Sequence, residues 1–476
     1  MTSLRSFLFL CAAGLVLSAC GEESPGSENL AAGARSDSAN DGSSGELASS
    51  TPDKGKWYAS RRPSGSTAEQ LSRMSHLESM GYASGTVEDD ERSKVITFHD
   101  RARAQDGYNF YVSGHAPAAF LVDMDGQEIH RWSCSVDEAW TAGNAPRERD
   151  FWRRARPLPN GDLLAIFENV GLIKLNKDSG VLWTHVGLAH HDLDLDEQGN
   201  IYLLERKAKV VDWIHPERPV LDDVIVVINS EGQVKRRVSL LAAIEKSKHR
   251  RSFVRQLRQR VTTNLAKEEA FRRDNAEKLA ANPEGAARLD FVGDIFHTNT
   301  LQWLDGSHQS TVPSFARGNL LLCIRNLHRV VVLDLEKERV AWTLNGSWRG
   351  QHEPTLLDSG NILLFDNSGP GQRGLRKTSE VLEVDPTNGE LLWNYRADEP
   401  GQFHSTIAGS CQRLPNGNTL IVESTRGRAF EVTHQGDLAW EFLSPHRAGD
   451  QQELIAFLPD LQRLPRAEVD VWLHTD

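Results

Sequence analysis

Short apolar runs recur along the chain, each opened by Asn-Gly or a close relative: LPNGDLLAIF (158–167), DEQGNIYLLE (196–205), ARGNLLLCIR (316–325), LDSGNILLFD (357–366) and LPNGNTLIVE (414–423). The glycine supplies the positive φ of a tight hairpin, and the apolar run after it reads as a buried strand. A second strand-turn-strand follows in most units: GLIKLNKDSGVLW (171–183), RVVVLDLEKERVAW (329–342), SEVLEVDPTNGELLW (379–393) and RAFEVTHQGDLAW (428–440). These end in Trp183, Trp342, Trp393 and Trp440, and an earlier copy, AAFLVDMDGQEIHRW (118–132), ends in Trp132. A large aromatic at one repeated position predicts a packing ridge between neighbouring sheets.

Four strands per unit, repeating at roughly 40–55 residues, is the pattern of a β-propeller blade. Counting units gives six. The segment around 108–132 and strand material near 465–473 are expected to complete one blade and close the ring. The fold class predicted is therefore all-β, a six-bladed β-propeller, over 66–476. Residues 240–290 break the rhythm: they are rich in Lys, Arg, Glu, Ala and Leu, and Val254, Leu257, Val261 and Leu265 fall at helical spacing. They predict a helical insertion between the third and fourth blades. Its basic run, Lys246 to Arg260, reads first as a solvated helix face, with an anionic lipid surface as the alternative.

The amino-terminal pattern differs from all of this. Arg5 precedes an apolar stretch, Ser6 to Leu17, that is too short to span a bilayer as a mature helix, and Leu17-Ser18-Ala19-Cys20 has the form of a lipobox. The expectation is a lipoprotein signal peptide over 1–20, with Cys20 acylated and the chain anchored to a membrane rather than spanning it. Gly21 after the cysteine predicts the outer membrane, on its periplasmic side. Residues 21–65 are Gly-, Ser- and acid-rich with almost no large apolar residue, the composition of a flexible tether.

The formal net charge of −12 argues against nucleic acid as a partner. Cys134, Cys323 and Cys411 remain beyond the leader; they show no metal-like spacing and read as small core residues. No P-loop pattern is present, which argues against a nucleotide donor, and no cofactor is expected.

The histidines carry the chemistry. His191 and His352 each precede their hairpin glycine (Gly199, Gly360) by eight residues, His297 precedes Gly306 by nine, and His404 precedes Gly417 by thirteen. Each is expected to open the innermost strand of its blade, so rotation of the propeller brings them together, with His190, at one mouth of the central channel. A lone histidine is usually structural; several in register predict a site able to act as base, nucleophile or anion-binding group. Converging imidazoles also suit a metal, and Asp192 and Glu353 beside them could be ligands, orienters or salt-bridge partners. A glycine-rich loop, FDNSGPGQRGLRK (365–377), offers Arg373, Arg376 and Lys377 as an oxyanion clamp, or is simply a surface loop.

These residues resemble the bacterial arylsulfotransferases, periplasmic six-bladed propellers with a PQQ-like repeat. The resemblance is carried by GYNFYVSGHAPAAFLVDMDGQEIHRW (107–132), HHDLDLDEQGNIYLLER (190–206), DIFHTNTLQWLDG (294–306), QHEPTLLDSGNILLFDN (351–367), SEVLEVDPTNGELLWNY (379–395) and the stretch 409–442. It implies transfer of a sulfuryl group from an aryl sulfate to a phenolic acceptor through a sulfo-histidine. His297 and His352 would correspond to the family's anion-binding histidines, Arg373 or Arg376 to its arginine, and His404 to the transiently sulfated residue. His190 and His191 would adjoin the substrate. Relatives show Ser-Arg where this chain has Ser379-Glu380, and a glutamate there would repel sulfate. The competing expectation is a non-catalytic, membrane-anchored propeller serving as a binding or scaffold module.

Overall fold

The structure is a computed structural model, and it describes residues 85–88, 94–140, 151–281, 292–367, 378–399, 401–449 and 452–474. The expected leader with Cys20, the expected tether, and the segment 368–377 with Arg373, Arg376 and Lys377 lie outside the described residues.

Six antiparallel sheets, five of four strands and one of five, form a six-bladed β-propeller. The innermost strands, in ring order, are Asp460–Leu464, Trp152–Pro157, Ala189–Leu195, Thr298–Trp303, His352–Leu356 and Ser410–Arg413. We number the blades one to six in that order. Blade one closes the ring: the C-terminal strand Asp460–Leu464 pairs with Tyr108–Val112, followed outward by Ala118–Val122 and Glu128–Ser133. The expected closing strand at 465–473 is instead a helix, Arg466–Leu473, that begins just past Pro465. Val469 and Trp472, one helical turn apart, bury against Trp132, so helical rather than alternating spacing satisfies this segment. Blade six gains a fifth, outer strand, Ile96–His99, against Leu438–Leu443.

The core is six apolar layers, one between each pair of neighbouring blades. The tryptophan ridge has a polar function as well. Trp183, Trp393 and Trp440, on outer strands, donate through Nε1 to the carbonyls of Ser230, His434 and Met124 in a hairpin turn of the next blade, at 2.7–3.0 Å. Trp132 does the same to Gly161 at 3.0 Å. Each indole thus satisfies its single donor on the neighbouring blade, with the rings of Trp132 and Trp440 fully buried and those of Trp183 and Trp393 partly so.

Side chains of the inner strands also stitch blade to blade. Asp192 and Asp194 accept from the backbone N–H of Leu301 and Trp303, Thr300 and Gln302 from Glu353 and Leu356, and Gln412 from Arg463. The insertion is helical as expected, with helices Leu240–Glu245, Arg250–Asp274 and Ala276–Ala281 between blades three and four. Phe253, Leu257 and Val261 are its buried face, whereas Val254 is only partly buried. Several of its basic residues are tied to the protein: Arg258 and Arg260 donate to the carbonyls of Trp213 and Asn326, and Lys246 pairs with Glu338. Cys134, Cys323 and Cys411 are buried.

Candidate functional site at the channel mouth

One end of the channel collects the starts of the inner strands and the ends of the second strands. The histidines arrive there through backbone irregularities. The ladders between first and second strands shift register between Ala189 and Leu193, Thr298 and Thr300, and His352 and Thr355. Beside these shifts His191, His297 and Glu353 take positive φ of 57°, 52° and 50°. Non-glycine residues in this region cost free energy and persist where the surroundings impose them, which is characteristic of functional sites. Bulges re-aim side chains that a regular ladder would direct elsewhere.

His190, His191 and His297 form one group. Nδ1 of His190 lies 2.8 Å from Nδ1 of His191, and the His191 and His297 rings meet edge to face at 4.8 Å. His297 Nδ1 donates to the Asp294 carboxylate. His190 Nε2 is 3.7 Å from Asp223, beyond hydrogen-bond length. Asp223 accepts from the Thr298 N–H, and burial pushes its carboxyl up to about 7.

His352 opens its inner strand as expected, and its environment fixes its tautomer. Asn367 gives both amide hydrogens to carbonyls, those of Ser405 at 2.9 Å and Ala408 at 2.5 Å. Its Oδ1 is therefore an acceptor, and it takes the Nδ1–H of His352 at 2.6 Å. This leaves a lone pair on His352 Nε2, which is buried and has no hydrogen-bond partner. Burial first, and then the charge of Arg325, hold this imidazole well below its usual pKa, so it is neutral at pH 7.

His404 is placed differently from expectation. The segment before Ser410–Arg413 is not strand, so His404 does not open one; it sits half-buried with its backbone N–H on Glu423 at 2.9 Å. It adjoins the His352 network one residue away, because Ser405 supplies the carbonyl that orients Asn367.

Among the described residues, two cations at this mouth come from or just after second strands, and are not the arginines expected from 365–377. Counting six residues from the start of each second strand gives Ser113, Glu168, Arg206, Arg325, Asn367 and Ser424, one per blade. Arg206 depresses the pKa of His190 and His191, and Arg325 and Arg153 depress that of His352, in each case after burial. The glycine repeat would have found this ring: Glu168, Arg206, Arg325, Asn367 and Ser424 each stand seven residues after a hairpin glycine. Four of the six (Ser113, Glu168, Arg325 and Ser424) carry a buried side-chain atom without a hydrogen-bond partner, as do His190 and His352. Buried polar groups are normally satisfied, so such a concentration at one mouth marks a place where a polar ligand completes the bonding.

The arylsulfotransferase (ASST) family model matches residues 156–445. The chain belongs to the arylsulfotransferase family. The matched span contains His190, His191, His297, His352, His404 and both ring arginines. Among curated proteins nothing matches the chain. Among solved structures it is similar to a protein of unknown function from Bacteroides caccae, at 10% identity over 75% of this chain and 98% of that one, with a TM-score of 0.45. It is also similar to a streptogramin B lyase, at 9% identity over 76% and 95% of the two chains and a TM-score of 0.38. Neither likeness bears on the chemistry.

For this arylsulfotransferase-family chain the mouth combines neutral imidazoles with fixed guanidinium groups, a setting in which an anion meets positive charge and a nucleophile keeps its lone pair. Glu380 does not stand uncompensated; its carboxylate lies 3.9 Å from Arg396. Among the described residues no three His, Cys, Asp or Glu side chains converge as metal ligands. Deeper in the channel lies a polar cavity of about 270 Å³ bounded by all six inner strands. It is crossed by Arg154, which binds Asp192, Glu353 and Asp460 from three other blades. Asp192 and Glu353 are thus salt-bridge partners, the last of the roles open to them from sequence.

Proposed function

We propose that the channel mouth transfers a sulfuryl group from an aryl sulfate to a phenol by way of a sulfo-histidine, without a nucleotide. The observation that carries this is His352 Nε2: a buried, neutral, unpartnered lone pair, its ring oriented by Asn367, beside Arg325 and Arg153. In the first half-reaction an imidazole nitrogen attacks sulfur, an N–S bond forms, and the S–O bond to the aryl group breaks with its electron pair leaving on oxygen. In the second, the acceptor oxygen attacks sulfur, and the N–S pair returns to the imidazole. Arg153, Arg206 and Arg325 match the charge on the sulfuryl oxygens, with Arg373 or Arg376 as further partners.

His404 is the second candidate for the sulfated residue, favoured by its place beside Ser405 in the network that holds His352. His352 Nε2 then acts on the proton of the phenol. We further propose that the chain works from the periplasmic face of the outer membrane, tethered through acylated Cys20.

The test is release of 4-nitrophenol from 4-nitrophenyl sulfate with and without phenol, in protein lacking residues 1–20. Phenol-dependent release that survives chelator supports transfer. Mass mapping of the quenched enzyme then assigns the sulfo group to the His352 or the His404 peptide. A folded protein that turns over no aryl sulfate leaves the non-catalytic propeller as the reading.

A further inference from the structure

Glu168 is out of place in a mouth that receives an anion. It follows the second strand of blade two, Leu163–Phe167, at the ring position occupied by Arg206 and Arg325 in blades three and four. Only 4% of the residue is exposed, and neither carboxylate oxygen has a hydrogen-bond partner. Its nearest cation, Arg206 Nη2, is 4.0 Å away, because Arg206 directs Nε and Nη2 at the Asn169 amide oxygen instead. Phe167, just before it, pairs with Trp152, the neighbour of Arg153, whose charge reaches His352. Arg206 balances the charge of this carboxylate from 4.0 Å but gives it no hydrogen bond, so both oxygens remain open to another donor.

The reaction proposed above supplies a use. It exchanges one phenol for another, so the entering oxygen must lose a proton and the leaving oxygen must gain one. Guanidinium groups cannot move that proton at neutral pH; His190 and His191 bond each other, His297 is held by Asp294 and His352 carries the sulfo group, whereas both Glu168 oxygens are open. We propose that Glu168 is the general base for the phenolic acceptor and, protonated by it, the general acid for the next leaving phenol. As the acceptor attacks, its O–H bond breaks and the proton passes to a Glu168 oxygen, while the O–S bond forms and the N–S bond breaks. In the following donor half-reaction that proton goes to the departing aryl oxygen, restoring the carboxylate. This inference rests on the sulfuryl-transfer reading with His352 as the sulfated residue.

The experiment compares wild type with Glu168→Gln, and with Glu168→Asp should the amide fail to fold. It uses 4-nitrophenyl sulfate as donor, because 4-nitrophenolate leaves without needing a proton. The first-turnover burst of nitrophenol should stay within about threefold of wild type. Steady-state transfer to phenol should fall by roughly a hundredfold, as for loss of a general base. A strongly acidic acceptor such as pentafluorophenol, already ionised at neutral pH, should restore most of that loss. A burst with unchanged transfer to phenol, or a loss equal for both acceptors, overturns the role of Glu168 and leaves the transfer reading standing. Absence of any burst in wild type overturns the transfer reading, and this inference with it.

Discussion

Arg154 Nη2 lies 2.6 Å from Glu353 Oε2, and this contact joins the inner strands of blades two and five, which face each other across the channel. The same guanidinium reaches Asp192 at 2.9 Å and Asp460 at 2.6 Å, so one buried side chain ties four of the six blades. Two of its partners directly follow mouth histidines: Asp192 after His191 and Glu353 after His352. The channel is therefore plugged below the mouth by a charged cluster that also fixes where the histidines stand.

Replacing Arg154 with methionine should be among the most damaging single changes in the protein. It would leave three buried carboxylates without their common cation, and breaking a buried pair from one side typically costs about 3–5 kcal/mol. Urea unfolding at pH 7 should show that loss in the midpoint with the slope unchanged. A variant within about 1 kcal/mol of wild type, the net worth of one hydrogen bond, would mean that water in the cavity replaces the guanidinium.

The pH dependence of stability follows from Glu353. Burial, aided by the charges of Asp192 and Asp460, pushes its carboxyl up to about 7 in spite of Arg154. The folded protein then retains a proton at pH values where the unfolded chain has released it. Stability from this group is full below the ordinary glutamate range and is lost as pH rises to about 7. Glu353→Gln should flatten the decline in urea midpoint between pH 5 and pH 8, with its largest relative gain at the alkaline end. Asp223, pushed up to about 7 by burial, contributes with the same sign and remains in the variant.

The Asn367–His352 bond makes a kinetic prediction. Asn367→Asp keeps an acceptor at Nδ1 but adds a negative charge, which favours the imidazolium and removes the Nε2 lone pair over a wider pH range. The acidic limb of the kcat profile, set well below the usual histidine value in wild type, should move upward. Asn367→Leu removes the acceptor and should lower kcat roughly 10- to 100-fold at all pH values, the scale of a lost orienting group. A profile unmoved by the aspartate would separate His352 from the chemistry.

Much of this architecture is legible in the sequence because it rests on local rules. The hairpin glycines and the terminal tryptophans recur with the blade, since each hairpin needs positive φ and each outer strand needs a ridge against its neighbour. His191, His297 and His352 could be placed from their spacing to those glycines. What was not legible depends on departures from the repeat. The bulges that put His191 and His297 at positive φ leave no compositional mark. His404 precedes a stretch without a ladder, so its distance from Gly417 could not place it on a strand. Arg206 and Arg325 are not marked by composition because their ring position holds four residue types across six blades; the common feature is the position and not the side chain. The stretch expected as strand near 465–473 is the helix Arg466–Leu473, since Pro465 and the spacing of Val469 to Trp472 favour a helical turn.

Arg325 is the residue on which binding and nucleophilicity should separate. Its guanidinium stands at the mouth and, next after burial, is the largest influence depressing His352. Arg325→Met should therefore act twice. Loss of a charge-assisted contact to the sulfuryl oxygens should raise KM for the aryl sulfate about tenfold and weaken inhibition by inorganic sulfate in parallel. Loss of the nearby charge should also let the His352 pKa rise, so that the acidic limb of the kcat profile shifts to higher pH while the plateau is largely kept. Arg325→Lys, which keeps the charge but loses the planar fork, should raise KM and leave the pH profile in place. If neither variant moved the pH limb, the charge of Arg325 would not be what sets the histidine, and the pKa of His352 would be traced to burial.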